Sequence, residues 1–431
     1  MSRVLAYDQA PAISVPLRFL LAAPVLALPA AVLLLYYGPE LLATRWSAAA
    51  LAATHLITLG FIGHSVVGAL MQFLPVAAGA DIRQLHRAAP WLQVLLTAGT
   101  LLLVAAFLLQ SAPLLKMAAA LVALVVAAVV ILTGIALARC TANDATTRAV
   151  TLGLAGLAVT ITLGCVLATL PNWAAAWGIA SLTDLHAAWG LAGWVTITVI
   201  GVALAVVPMF QITPRYPPAV ERWLAPLIVA TLTVLTLAVT TELNRLPGLR
   251  ELLYALIAAA LAGFGVVTLN LHHASRRRAD VSVWLWRGGM ASLVAVALLA
   301  VGALAAPGLA QLPGFDLLIG ILMLAGFGMS VINGMMYKIV PFLVWLHLQQ
   351  ANPERHPLPH MGQIIPQRAM RWQAAAHGVA VALLIAALAW PLAIYGAGLA
   401  WAVSQLMLAV NLTRAAWRYA RFKQGITTRL P

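Results

Sequence analysis

Charge is what this sequence most lacks. Only 8% of its 431 residues are Asp, Glu, Lys or Arg, against roughly 25% in an ordinary soluble domain. Too few polar side chains remain to cover a water-facing surface, so a soluble globular protein is excluded. Acid is scarcest: there are 11 Asp and Glu, and all fall in predicted loops or near helix ends. Proton-coupled pumps and symporters usually keep a carboxylate inside a span, which weakens that class. Cysteine is nearly absent too. Cys140 and Cys165 give neither a disulfide framework nor a CxxC metal site. No Walker, HExxH or GxSxG motif and no paired-carboxylate site is present.

What the sequence has is apolar length, with 63% of residues hydrophobic. A membrane helix needs about 20 mostly apolar residues. Twelve stretches qualify, at roughly 15–37, 48–77, 91–111, 113–138, 148–170, 183–210, 219–241, 249–272, 283–305, 315–344, 370–390 and 392–414. The first is too long for a signal peptide and has no clear small-residue cleavage site, so it reads as a membrane helix. The segment from Trp345 to Arg368 is proline-rich and reads as an irregular surface loop. The whole chain, 1–431, forms one transmembrane domain.

The net charge of +14 does not indicate nucleic acid, because the basic residues are spread over short loops. With the N-terminus cytoplasmic, 21 of the 25 Lys and Arg fall on that side, Arg3, Arg355 and Arg429 among them. Arg45, Lys116, Arg245 and Arg250 fall on the other. This is the positive-inside pattern, and with an even number of spans it puts both termini inside.

One pattern recurs. Gly68 precedes Pro75, Gly201 precedes Pro208 and Gly334 precedes Pro341, each by seven residues and at intervals of 133 residues. Each copy falls near the cytoplasmic end of a long helix, the second, sixth and tenth. Glycine admits a close neighbouring backbone, and proline bends a membrane helix where neighbours compensate. The reading is three parallel pseudo-repeats of four helices, about 15–140, 147–275 and 282–420. A six-plus-six transporter would instead repeat near 200 residues.

Histidines are the polar residues with chemical reach. His55 and His64 fall in the second helix, His186 near the start of the sixth, and His377 in the eleventh. An ionisable residue in a bilayer is a functional candidate, and imidazole ligates metals and haem iron. His55 and His186 lie at similar depth, 13 and 15 residues before their repeat glycines. His64 follows His55 by nine residues, half a turn out of phase in a regular helix. For each the bland alternative is an interhelical hydrogen bond, and for His186 an interfacial position beside cap-like Thr183 and Asp184. His272 and His273 read as a solvated helix end, while His86, His347, His356 and His360 fall in or near cytoplasmic loops. Met71, Met209, Met323, Met329, Met335 and Met336 cluster on or after the repeat helices. Thioethers suit Cu(I) but also fill cores. Lys338 stands where the other repeats have Gln72 and Ala205, and is expected to snorkel to the inner interface.

Twelve helices in three groups of four resemble subunit I of the haem-copper oxidases. The stretch from His55 through Gly60 and Phe61 to Gly68, with Pro16-Leu17-Arg18-Phe19-Leu20, is similar to the NnrS family of haem-copper membrane proteins. These motifs cover the first 80 or so residues. The resemblance implies haem b, with His55 as a ligand and His186 as a weaker candidate for haem or metal, and copper as a further cofactor. From the residues alone, His64 is a further candidate for the cofactor and His377 a further candidate metal ligand beside His55 and His186. The resemblance also implies a bacterial inner-membrane location and a role in nitric oxide response or respiratory metal-centre support. The tenth helix lacks a histidine in its membrane portion. The sixth lacks a tyrosine downstream of its histidine, and the seventh lacks a His-His pair. Standard oxygen reduction is therefore not expected. Two other readings stay open: a metal or small-molecule permease, and an assembly scaffold whose histidines only join helices.

Overall fold

In lipid each backbone N–H and C=O must be satisfied within the protein, and a helix does this locally. The computed structural model describes residues 9–169, 178–241, 243, 246–352 and 357–427. Arg3, Arg245, Arg355, His356 and Arg429 lie outside them. Among the described residues there is no strand. Twelve helices are long and apolar enough to cross a membrane. They are α1 Ser14–Leu42, α2 Ala48–Ala78, α3 Arg83–Leu108, α4 Ala112–Ala138, α5 Ala145–Thr169, α6 Ile179–Gln211, α7 Pro218–Thr240, α8 Leu249–His273, α9 Val281–Ala305, α10 Phe315–Gln350, α11 Gln367–Ala386 and α12 Ala393–Gln424. The chain is a multi-pass membrane protein.

Three local expectations are corrected. Helix α6 begins at Ile179, so Thr183 and Asp184 lie inside it and do not cap it. The proline-rich connection is not simply a surface loop. Helix α10 continues to Gln350, a short helix covers Met361–Ile364, and Ile364 and Ile365 are buried. Those two isoleucines anchor the connection under the bundle, and the Arg418 guanidinium donates to the carbonyls of Gln363 and Ile364 at 2.9 and 2.7 Å. That contact also accounts for α12 running ten residues beyond its expected end.

Helices α2, α6 and α10 are central. In their most apolar windows 78%, 78% and 61% of residues are buried, and none of the other nine helices exceeds 56%. Each contains an eight-residue π-helical stretch: Leu56–Gly63, Trp189–Thr196 and Leu322–Met329. Their starts are 133 residues apart in both intervals. Each carries a Gly-aromatic pair in the same register, Gly60-Phe61, Gly193-Trp194 and Gly326-Phe327, with all three aromatic rings buried. The stretches meet: a Cβ at Gly63 would lie 3.8 Å from Trp194, and one at Gly328 would lie 2.9 Å from Ile62. π-bulges are rare and concentrate at functional sites.

The repeat glycines pack alike. A Cβ at Gly68 would lie 3.0 Å from the Pro16 carbonyl oxygen on α1. At Gly201 it would lie 3.0 Å from the Ala149 Cβ on α5, and at Gly334 3.1 Å from the Ser282 oxygen on α9. Pro16, Ala149 and Ser282 are themselves 133 residues apart. Around the centre, α4 packs on α5, α8 on α9, and α12 on α1. The Trp401 indole of α12 donates to the Ala27 carbonyl of α1 at 2.9 Å, which joins the last helix to the first.

Exposed Trp and Tyr gather at the two ends of the helices. Trp91, Trp223, Trp284, Trp372 and Trp417 mark the end that carries most of the arginines, and Tyr36, Trp46, Trp390 and Tyr395 mark the other. Amphipathic rings favour the two membrane–water interfaces.

Candidate metal centre

The N-terminal half of α2 starts at the N-cap Ser47, whose hydroxyl accepts from the Ala50 N–H at 3.1 Å. Two turns on stands His55, directly before the π-helical stretch. Its Nδ1–H donates to the Leu51 carbonyl at 2.8 Å. On α6, His186 likewise donates from Nδ1, to the Thr160 carbonyl of α5 at 3.0 Å. Glycine at 164 makes room for this ring, since a Cβ there would lie 3.1 Å from the imidazole Cε1. With Nδ1 committed as donor, the lone pair of a neutral imidazole is on Nε2. Among the described residues neither Nε2 has a hydrogen-bond partner. Metal-ligating histidines commonly have this arrangement, one nitrogen fixed by a carbonyl and the other free.

The two rings lie side by side and nearly parallel, with centroids 6.4 Å apart and planes that differ by 22°. The Phe107 ring of α3 lies 5.0 Å from that of His55. An apolar groove of about 450 Å³ opens beside it between α1 and α3, lined by Val25, Pro29, Leu33, Leu56, Val104 and Leu108 among others. Above the pair, the Arg45 guanidinium binds Asp184 of α6 at 2.7 Å and Asp316 of α10 at 3.2 Å. This clasp ties the segment before α2 to the first turns of α6 and α10.

The other sequence candidates are engaged elsewhere. His64 is fully buried. Its Nδ1 donates to the Leu59 carbonyl at 2.9 Å, and its Nε2 meets the Thr97 hydroxyl of α3 at 3.0 Å. Ligation would cost it one of these bonds. His377 bonds through Nε2 to the Ser330 hydroxyl of α10 at 2.8 Å, and its Nδ1 is unpartnered among the described residues. No group of three or more His, Cys, Asp or Glu that could hold a metal exists among the described residues, so His377 does not join His55 and His186.

The expected solvated helix end at His272 is corrected. Its ring is fully buried, because the end of α8 tucks under that of α6, where Nε2 meets the Gln211 amide oxygen at 2.6 Å. His347 has both nitrogens on carbonyls, those of Leu343 and Pro11, at 2.9 Å each. Met209 is 43% exposed, whereas the other five methionines are buried. Lys338 does not reach open solvent. It pairs with Asp280, and the two side chains are 12% and 20% exposed.

Sequence reading missed Gly164, Thr160 and Phe107. No local signal marks them, since each acts only through a neighbour brought close by the fold. No known protein-family model matches this chain, and no curated protein matches it.

Proposed function

We propose that this chain is a metal-binding membrane protein of the inner membrane in which His55 and His186 hold one centre, haem iron first and copper second. The observation that carries the proposal is the neighbouring imidazole pair, each ring fixed through Nδ1 and with no partner for Nε2 among the described residues. The haem reading rests on the likeness to the NnrS and haem-copper proteins. The copper reading rests on the imidazole donors, which suit copper as well as iron. Haem iron held by both imidazoles would supply transfer of one electron, and a copper ion held by the same pair would in addition have room for a small diatomic ligand such as nitric oxide. The chain's own part is to fix both imidazoles, exclude water with Phe107, and clasp the outer entrance with Arg45.

The architecture belongs to the same proposal. Three parallel units of four helices, with both termini cytoplasmic, are supported by the common 133-residue register of the π-helical stretches, the repeat glycines and their contact partners. Protein purified from haem- and copper-replete cells decides the proposal by optical spectroscopy and metal analysis. A Soret band lost in His55→Ala supports haem. Colourless protein with about one copper per chain, lost in His55→Ala or His186→Ala, supports copper. Colourless protein free of both metals overturns the proposal.

A further inference from the structure

Helices α10, α11 and α12 share a polar interior that the metal site does not use. Three hydrogen bonds close a triangle among them. The Ser330 hydroxyl of α10 meets His377 Nε2 of α11 at 2.8 Å. The Gln373 amide of α11 donates to the Ser404 hydroxyl of α12 at 3.0 Å. The Asn411 amide of α12 donates to the Tyr337 hydroxyl of α10 at 3.0 Å. None of these six side chains is more than 6% exposed.

Between the corners are polar atoms without a protein partner. Ser330, Asn333 and Tyr337 recur at helical spacing and therefore lie on one stripe of α10. Asn333 is 0% exposed, and both ends of its amide are unpartnered among the described residues. The Gln373 Oε1 and His377 Nδ1 are unpartnered as well, and so are both ends of Gln405, next to Ser404. A buried polar group with no partner costs about 1–3 kcal/mol, and several on one seam are far outside what a native interior carries.

The chemistry of the seam selects its ligand. Amide, hydroxyl and imidazole groups offer both donors and acceptors, with no carboxylate, lysine or arginine among them. Lys338, next to Tyr337 on α10, is bound to Asp280. An ion here would have no counter-charge in a low-dielectric interior. Water satisfies such groups, and a buried water typically makes about three hydrogen bonds.

We propose that the seam from Tyr337 to Ser330, about 10 Å along the axis of α10, is a binding site for a short row of ordered water molecules held by Asn333, Gln373 and His377. It starts one residue from the Lys338–Asp280 pair and ends at the foot of the π-helical stretch of α10. The site does not depend on the metal reading.

Pulsed hydroxyl-radical labelling of the full-length protein tests it, because radicals form from bound water and oxidise an adjacent ring. Tyr337 is 3% exposed and is expected to label nearly as well as exposed Tyr36. Tyr216, equally buried and likewise bonded through its hydroxyl, to Thr268, but outside the seam, stays unlabelled. Asn333→Leu is expected to lower labelling of Tyr337 at least fivefold, whereas Asn333→Ala, which leaves room for water, retains it. Should Asn333→Leu fail to fold, Gln373→Leu is expected to give the same loss. Tyr337 silent in the unaltered protein, or labelled equally in the leucine variants, overturns the proposal.

Discussion

The residue scale separates histidines that are free to act from those that are spent. His64 and His377 belong to the same kind of contact. His64 and Ser330 each stand directly after a π-helical stretch. In one case the imidazole is on the central helix and the hydroxyl, Thr97, on its neighbour. In the other the hydroxyl is central and the imidazole is on the neighbour. His64→Leu is therefore expected to retain the bound metal at unchanged stoichiometry while lowering the melting temperature. Loss of metal in this variant would move the centre to His64. Gly164→Val is expected to do the reverse, with the fold retained and metal content reduced several-fold, because the new side chain occupies the space of the His186 ring. Metal analysis and circular dichroism on the same samples check both. The sequence marked His55 and His186 by depth, and His55 also by the stretch that leads to Gly60 and Phe61. What it could not show is which nitrogen of each imidazole a distant carbonyl or hydroxyl engages, and that is where His64 and His377 differ.

At the element scale the question is what a helix can tolerate. A Cβ at Gly201 meets the Ala149 Cβ and the Val150 backbone nitrogen at 3.0 Å, and backbone cannot swing aside. Gly201→Leu is expected to cost about 1–3 kcal/mol, the range for overpacking a close interface. Gly134→Ala, with nothing within 4 Å, is expected to be neutral or to add up to about 1 kcal/mol through helix propensity. Thermal unfolding in one detergent compares them directly. The π-helical stretches yield a second prediction. Deleting Ile57 should let α2 rewind as a regular helix and turn His55 away from His186, with loss of the metal and little loss of helix content. The glycine–proline register was legible because it is spelled in residue types. The π-helical stretches were not, since no residue pattern distinguishes five-residue from four-residue hydrogen bonding. The half-turn offset computed between His55 and His64 had assumed a regular helix throughout.

At the scale of the whole molecule, apolar length was enough to find twelve helices, most of their ends within about five residues, though α3 begins eight residues earlier, α10 ends six later and α12 ten later than expected. Apolar length failed where a loop was held by contacts far away in sequence, as at Ile364 and Arg418. The orientation proposed from the charge split can be tested chemically. A cysteine placed at Ala142, between α4 and α5, is expected to resist a membrane-impermeant maleimide applied to intact cells. One placed at Gln110, between α3 and α4, is expected to react. Labelling of the first and not the second would invert the molecule.

The contacts made by Gly68, Gly201 and Gly334 have a consequence for how the protein is made. Each joins a helix to the one immediately before it in the chain, so each pair can form in the bilayer soon after it leaves the ribosome. The His55–His186 pair needs nothing later than α6, with Thr160 and Gly164 of α5 already in place. The third group of helices supplies Asp316 to the outer clasp and Gly328 to the junction with Ile62. A nascent chain halted after α8 would then already carry both imidazoles, with the lid over them still unfastened. A metal held as proposed would then be open to loading during synthesis, before the last four helices close around it.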